Sequence, residues 1–317
     1  MGGKAGHLQI QLNQKTMKYI SNIVTMSCLL VAILVFGCEE YDEYKYDFQH
    51  TAVYFPQEGQ EQTRSFIVNE DRTIQVGVEL GGRRENTTRE TVTYVLDSGM
   101  VDTAVGQVML PSSYYEIANG GEFVIPAGSF QGLLEITIDT AFYHDTLALS
   151  GDYVLPFRLT ETSADSILAS RDSLVLHVTY EAEVFGHYYH NGVTYIDSGG
   201  SRIDTIAYHQ EEPVDKAVNN WQLQTIGPYA LQTNGIGYVL DEPMTIMVDR
   251  GHNVSVMTNA ASGISITESG SCRYDATARK LYLEYEFENT DGHQCHALDT
   301  LIFRNRLLDG VNQWRNL

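Results

Sequence analysis

From Thr51 onward the chain is a succession of short runs rich in Val, Ile, Thr, Tyr and Phe. Clusters of Gly, Asn, Asp or Pro separate most of them. β-Branched and aromatic residues suit a pleated, half-buried surface, and the punctuating residues supply turns. Runs such as Thr73–Leu80, Thr91–Leu96, Gly132–Ile138, Tyr153–Thr160 and Ser173–Tyr180 therefore read as strands. No long segment carries the helical period. That excludes helical bundles and sheets that depend on crossover helices. The expected fold class is all-β.

Two parts are expected. Over residues 51–180 the strands are short and recur about every ten residues, which points to an immunoglobulin-like β-sandwich. Glu181–Glu183 reads as a junction. Over residues 184–317 the strands lengthen towards the end. Leu281, Leu283, Tyr285 and Phe287 alternate with Tyr282, Glu284, Glu286 and Glu288. Long meander strands point to a closed or partly closed antiparallel barrel. Phe185–His190 and Gly192–Asp197 read as separate strands, and Asp215–Asn219 as one helical turn. In the final meander Cys272 falls opposite about Tyr282, and Cys295 opposite about Glu286. Two strand spacings of ~4.8 Å plus that offset exceed disulfide reach, so two free thiols are expected.

The first fifty residues have a different character. Lys15 and Lys18 precede an apolar run, Ile23–Gly37, of about 15 residues that ends at Cys38. The run is shorter than the ~20 residues of a spanning helix and has the length of a signal-peptide core. A charged start, a hydrophobic core and a small residue before Cys resemble a bacterial lipoprotein signal. The resemblance implies that residues 1–37 are removed, with Met17 a more natural start than Met1, and that Cys38 is lipidated. Residues 38–50 then form a tether. Its acidic start, Glu39, Glu40, Asp42 and Glu43, resembles the surface-export signal of Bacteroidota lipoproteins. The expected location is the outer membrane, lipid-anchored and facing the exterior.

The chain carries 20 basic and 41 acidic residues, a net charge of −21. Residues 1–37 hold Lys4, Lys15 and Lys18 and no acid, so their removal makes the balance more negative still. Such a surface repels phosphate backbones, and nucleic acid is not an expected partner.

Catalytic constellations are weak. His187 and His190, like His293 and His296, are three apart and fall on opposite faces of a flat strand, so neither pair reads as a metal site. Ser201, Asp204 and His209 are close in sequence but lack a nucleophile elbow. There is no phosphate-cradling Gly loop and no Cys-x-x-Cys. The expectation is a non-enzymatic protein without metal or cofactor.

Two groups of motifs resemble known families. Phe123-Val124-Ile125-Pro126-Ala127-Gly128 and Tyr153-Val154-Leu155-Pro156-Phe157-Arg158-Leu159 resemble an N-terminal domain of unknown function common in Bacteroidota surface lipoproteins. Tyr188-Tyr189-His190, Thr233-Asn234-Gly235-Ile236-Gly237 and Asp299-Thr300-Leu301-Ile302-Phe303-Arg304 resemble its frequent companion, a lipocalin-like (calycin-type) barrel. Together they cover nearly all of the chain after the tether. The resemblance implies an accessory of polysaccharide capture that binds a polysaccharide or host glycan beside outer-membrane transporter components. A protein-binding adhesin and a carrier of a small apolar ligand are the alternatives. Candidate glycan-stacking rings are Tyr188, Tyr189, Tyr195, Trp221 and Trp314. Asp-Thr/Ser followed by an aliphatic residue recurs along the chain and resembles the O-glycosylation sequence of exported Bacteroidota proteins, with Thr103 and Thr146 as the candidate sites.

Overall fold

The structure is a computed structural model that describes residues 50–209 and 220–314. Cys38, the acidic tether residues Glu39, Glu40, Asp42 and Glu43, and the turn expected at Asp215–Asn219 lie outside the described residues. Among the described residues no helix is long and apolar enough to cross a membrane.

The fold is all-β. The first half forms two sheets. One runs in the order Ser166–Ile167, Ala52–Tyr54, Thr73–Gly81, Gln131–Ile138, Tyr115–Ile117. The other runs Glu61–Ile67, Ser173–Glu181, Tyr153–Thr162, Glu90–Leu96, Glu122–Ile125, with Val108–Met109 beside Tyr153–Thr162. Period-two alternation sends one face of each strand inward. In Gln131–Ile138 the residues Gly132, Leu134, Ile136 and Ile138 are buried, while Gln131, Leu133 and Glu135 are exposed. The inward faces meet in a core whose centre is aromatic: Phe55 and Phe123 pack edge to face at 5.8 Å. Two features were not expected from spacing. Glu61–Ile67 pairs with Ser173–Glu181 in parallel. Asp102, Asp139 and Asp145 each cap a helical turn by accepting the amide two residues on. Short acidic side chains at that position satisfy donors the turn leaves free.

Among the described residues the second half has a small two-stranded sheet, Gly235–Ile236 with Val239–Leu240, and an eleven-stranded sheet around two long strands, Gly186–Ser198 and Gln294–Leu308. These pair antiparallel from His187 to Asp197. The sheet curls until its far strands meet, where Asn253 bridges Arg273 and Thr258 Oγ1 accepts from the Ile266 amide at 2.8 Å. The two strands expected on either side of Asn191 are one. Gly192 lets the backbones approach there, since a Cβ at this position would lie 2.3 Å from the Leu298 carbonyl oxygen. Arg273, not Cys272, pairs with Tyr282, and Cys295 pairs with Phe287, one place from the expected register. The cysteines flank the Lys280–Glu288 strand and both thiols are free.

The two cores interlock. Ile67, from the first half, is buried in the second core, and Tyr229, from the second half, packs on the first. Between them Arg306 grips Glu70 through both guanidinium ends at 3.0 and 3.3 Å. Asp309, in the turn after Gln294–Leu308, accepts from the Ser65 amide at 3.1 Å and from its hydroxyl at 2.7 Å.

Candidate functional site

The five candidate rings do not form one surface. Tyr188 and Trp221 are 0 and 1 % exposed, and Tyr189 is buried as well. This corrects their assignment as sugar-stacking rings, because neighbouring side chains occupy their faces. Tyr188 packs edge to face on Phe303 at 5.5 Å and donates to the Val184 carbonyl at 2.8 Å. Trp221 stacks on His190 at 4.0 Å. Tyr195 is half-buried with the Arg202 guanidinium 3.9 Å over its ring, and Trp314 is exposed. Thr103 and Thr146 are exposed, each just after a capping aspartate.

Within the second core lies a polar cluster that sequence spacing did not reveal. Asp299 is buried on Gln294–Leu308, the longest strand. Its carboxylate accepts from Tyr285 Oη at 2.5 Å and from Tyr208 Oη. His190 Nε2 lies 3.0 Å from the same group but off the line of a good hydrogen bond. Tyr285 in turn accepts from the Gly237 amide at 2.7 Å. Burial and the Asp299 charge hold both phenols far above their ordinary range. His190, stacked between Trp221 and Tyr208, therefore belongs to a filled interior. His187, three residues earlier, points into a different environment.

That environment is a cleft of about 450 Å³ where the two halves meet. Glu181, Phe185, His187, Gln222, Gln224 and Leu307 line it. Strand pairing sets His187 directly beside Gln222, and alternation brings Gln224 to the same face two residues on. Burial pushes the Glu181 carboxyl above the usual carboxylate range, with the Asp309 charge adding to it and a hydrogen bond from Thr225 opposing it. Burial and the Arg304 charge push the His187 imidazole down. The cleft has the size of a small-molecule site and offers amide, imidazole and carboxyl groups beside an aromatic ring. Among the described residues no group of three or more His, Cys, Asp or Glu stands close enough to hold a metal. Ser201 sits at a hairpin tip opposite Ser198, and Asp204 accepts from the Thr205 amide at 2.7 Å.

Comparison with known proteins bears on the fold. A family model described as a "-like, N-terminal domain" matches residues 46–166. No curated protein matches the sequence. A crystal structure of a protein of unknown function from Bacteroides ovatus is similar at 18% identity and a TM-score of 0.67, covering 85% of this chain and 98% of that one. A second protein of unknown function from Bacteroides ovatus gives 13% identity and a TM-score of 0.43, covering 83% and 97%. A multidomain protein including DUF1735, also from Bacteroides ovatus, gives 12% and 0.40 over the same shares. The likeness at 0.67 shows that the all-β arrangement is shared along almost the whole of that chain; the other two are too distant to carry an argument.

Proposed function

We propose that the chain is a non-enzymatic cell-surface lipoprotein that binds glycan through the cleft at Glu181, His187, Gln222 and Gln224. In this reading Cys38 carries the lipid, the acidic run after it directs export, and the immunoglobulin-like first half presents a lipocalin-like second half to the medium. Membrane attachment and association with outer-membrane transporter components belong to the same proposal, as does the organism group, Bacteroidota. The cleft is the observation that carries it: polar side chains that both donate and accept stand beside the exposed Leu307, which suits a sugar's hydroxyls and C–H faces. A non-catalytic role is supported by the lining itself. Glu181 is the one carboxylate among the described residues that line the cleft, whereas glycoside hydrolysis ordinarily uses two. Isothermal titration of the purified chain against polysaccharides tests the binding reading, and absence of heat across plant, fungal and host glycans sinks it. Replacing Cys38 by Ser tests the anchor; the protein then leaves the membrane fraction, and retention there rejects lipidation.

A second reading, a protein-binding adhesin or accessory subunit, draws on the last hairpin. Leu307, Val311 and Trp314 are 61, 61 and 52 % exposed there. Stoichiometric co-purification of a membrane partner without sugar binding favours it. A carrier of a small apolar ligand fits less well, because Trp221, Tyr188, Tyr285 and Phe303 fill the interior that such a ligand would occupy.

A further inference from the structure

We infer that the cleft selects uncharged glycan segments and rejects those bearing carboxylate or sulfate groups, an inference that rests on the glycan-binding reading above. Among the described residues that line it there is no lysine or arginine. Its polar side chains among the described residues are Glu181, His187, Gln222, Gln224, Thr179, Thr225 and Tyr180. The Thr179 and Thr225 hydroxyls donate to the Ala148 carbonyl and to Glu181 and keep acceptor capacity, while each amide offers a donor and an acceptor, as a neutral imidazole does. A sugar hydroxyl has the same dual character. A carboxylate or sulfate accepts only, and strong recognition of it calls for cations or converging N–H groups.

The two nearest cations do not change this. Arg306 lies 5.3 Å from the Phe185 ring, but it is committed to Glu70 and to Gln313 Oε1 at 2.6 Å. Arg304 falls in the strand irregularity opposite His187 and Tyr188, with its guanidinium 5.3 Å from the Trp314 ring. Burial and then the Arg304 charge both work against a positive charge on His187. On the acidic side, Glu181 lines the cleft and Asp309 stands close enough to act on it. The chain as a whole is at −21. An anionic ligand therefore meets repulsion at long range and, among the described lining residues, no lysine or arginine at contact. Leu307, 61 % exposed, supplies the apolar part of the wall, and an unmodified sugar ring can lay its C–H face there.

Matched ligands test the selection. The full chain, held in detergent, is titrated with neutral plant and yeast polysaccharides, each beside its own carboxymethylated and sulfated derivative, at physiological salt. The neutral parent is expected to bind at least about tenfold more tightly than either derivative. The double variant Gln222→Ala/Gln224→Ala is expected to lose about tenfold or more of the parent's affinity with an unchanged unfolding midpoint. Both glutamines are exposed, so folding should tolerate the change. Glu116→Ala, at a separate cleft of about 320 Å³ in the first half, should leave binding as it was. Derivatives that bind as well as the parent overturn the selection and leave the glycan reading standing. Binding that survives the glutamine variant but disappears in Tyr195→Ala/Trp314→Ala overturns the assignment to the cleft. Absence of binding to every polysaccharide overturns the inference together with the reading beneath it.

Discussion

Asp299 shows how much of the second core depends on one side chain. A buried carboxylate is costly unless donors surround it, and Tyr208 and Tyr285 donate to Asp299 from strands 91 and 14 residues away in sequence. Removing the Tyr285 hydroxyl costs a bond to a charged group and strips the Gly237 amide of its acceptor. Tyr285→Phe is expected to lower stability by about 2–3 kcal/mol, measured as a shift of the urea midpoint at unchanged slope. A loss within a few tenths would mean that water replaces the phenol. Glu181 gives a prediction of the opposite kind. Its carboxyl is raised, so the folded state prefers the neutral form. The stability it contributes is fully present below the ordinary glutamate range and is lost as pH rises through the raised value. Glu181→Gln is therefore expected to gain stability relative to the unmodified chain on going from pH 4 to pH 8. Urea titrations across that range decide the sign, and a relative gain at low pH refutes it. Neither role was legible in the sequence. Asp299 reads there as one more Asp-Thr-Leu triplet, because the partners that define it are brought together only by strand pairing.

At the scale of elements the sequence is more informative, within limits that have physical causes. Alternation over Leu281–Phe287 places the strand and its inward face correctly, since a half-buried strand must alternate. The same reasoning splits the Gly186–Ser198 strand at Asn191, beside Gly192, because Asn-Gly marks turns and glycine also marks close contacts. Only the partner strand distinguishes the two. Here a Cβ would meet the Leu298 carbonyl at 2.3 Å and Asp299 Oδ1 at 2.8 Å, and a backbone oxygen cannot swing aside. Gly192→Ala is expected to cost about 3 kcal/mol by overpacking, read from chemical denaturation, whereas Gly120→Ala, in the turn before Glu122–Ile125, meets no atom within 4 Å. Equal effects at the two sites would disprove the close-approach account. The recurrent Asp-Thr triplets also have a local structural use. At Asp102, Asp139 and Asp145 the carboxylate caps a turn and leaves the next threonine outward, so the pattern has a folding reason whatever is attached to Thr103 or Thr146.

Two hydrophobic cores in one chain ordinarily invite independent unfolding, and inter-domain contacts of modest size permit it. Here the contacts are buried as well as polar. Ile67 leaves its own sheet to fill the second core at 5 % exposure, and Tyr229 returns the exchange. Arg306 and Asp309 tie the final hairpin to Glu70 and Ser65, and Glu183 bonds both Asn69 at 2.8 Å and His252 at 3.0 Å. Melting either half exposes apolar surface belonging to the other, which couples the two transitions. The tryptophans make this measurable. The chain has two, Trp221 and Trp314, and both lie in the second half, so their fluorescence follows that half alone. Far-ultraviolet circular dichroism follows the strands of both. The two probes are expected to give one coincident urea transition. Ile67→Ala, although its strand belongs to the first half, should move both probes together by about 2–4 kcal/mol. Separate midpoints for fluorescence and dichroism would show that the cores unfold independently and that the cleft between them is free to open.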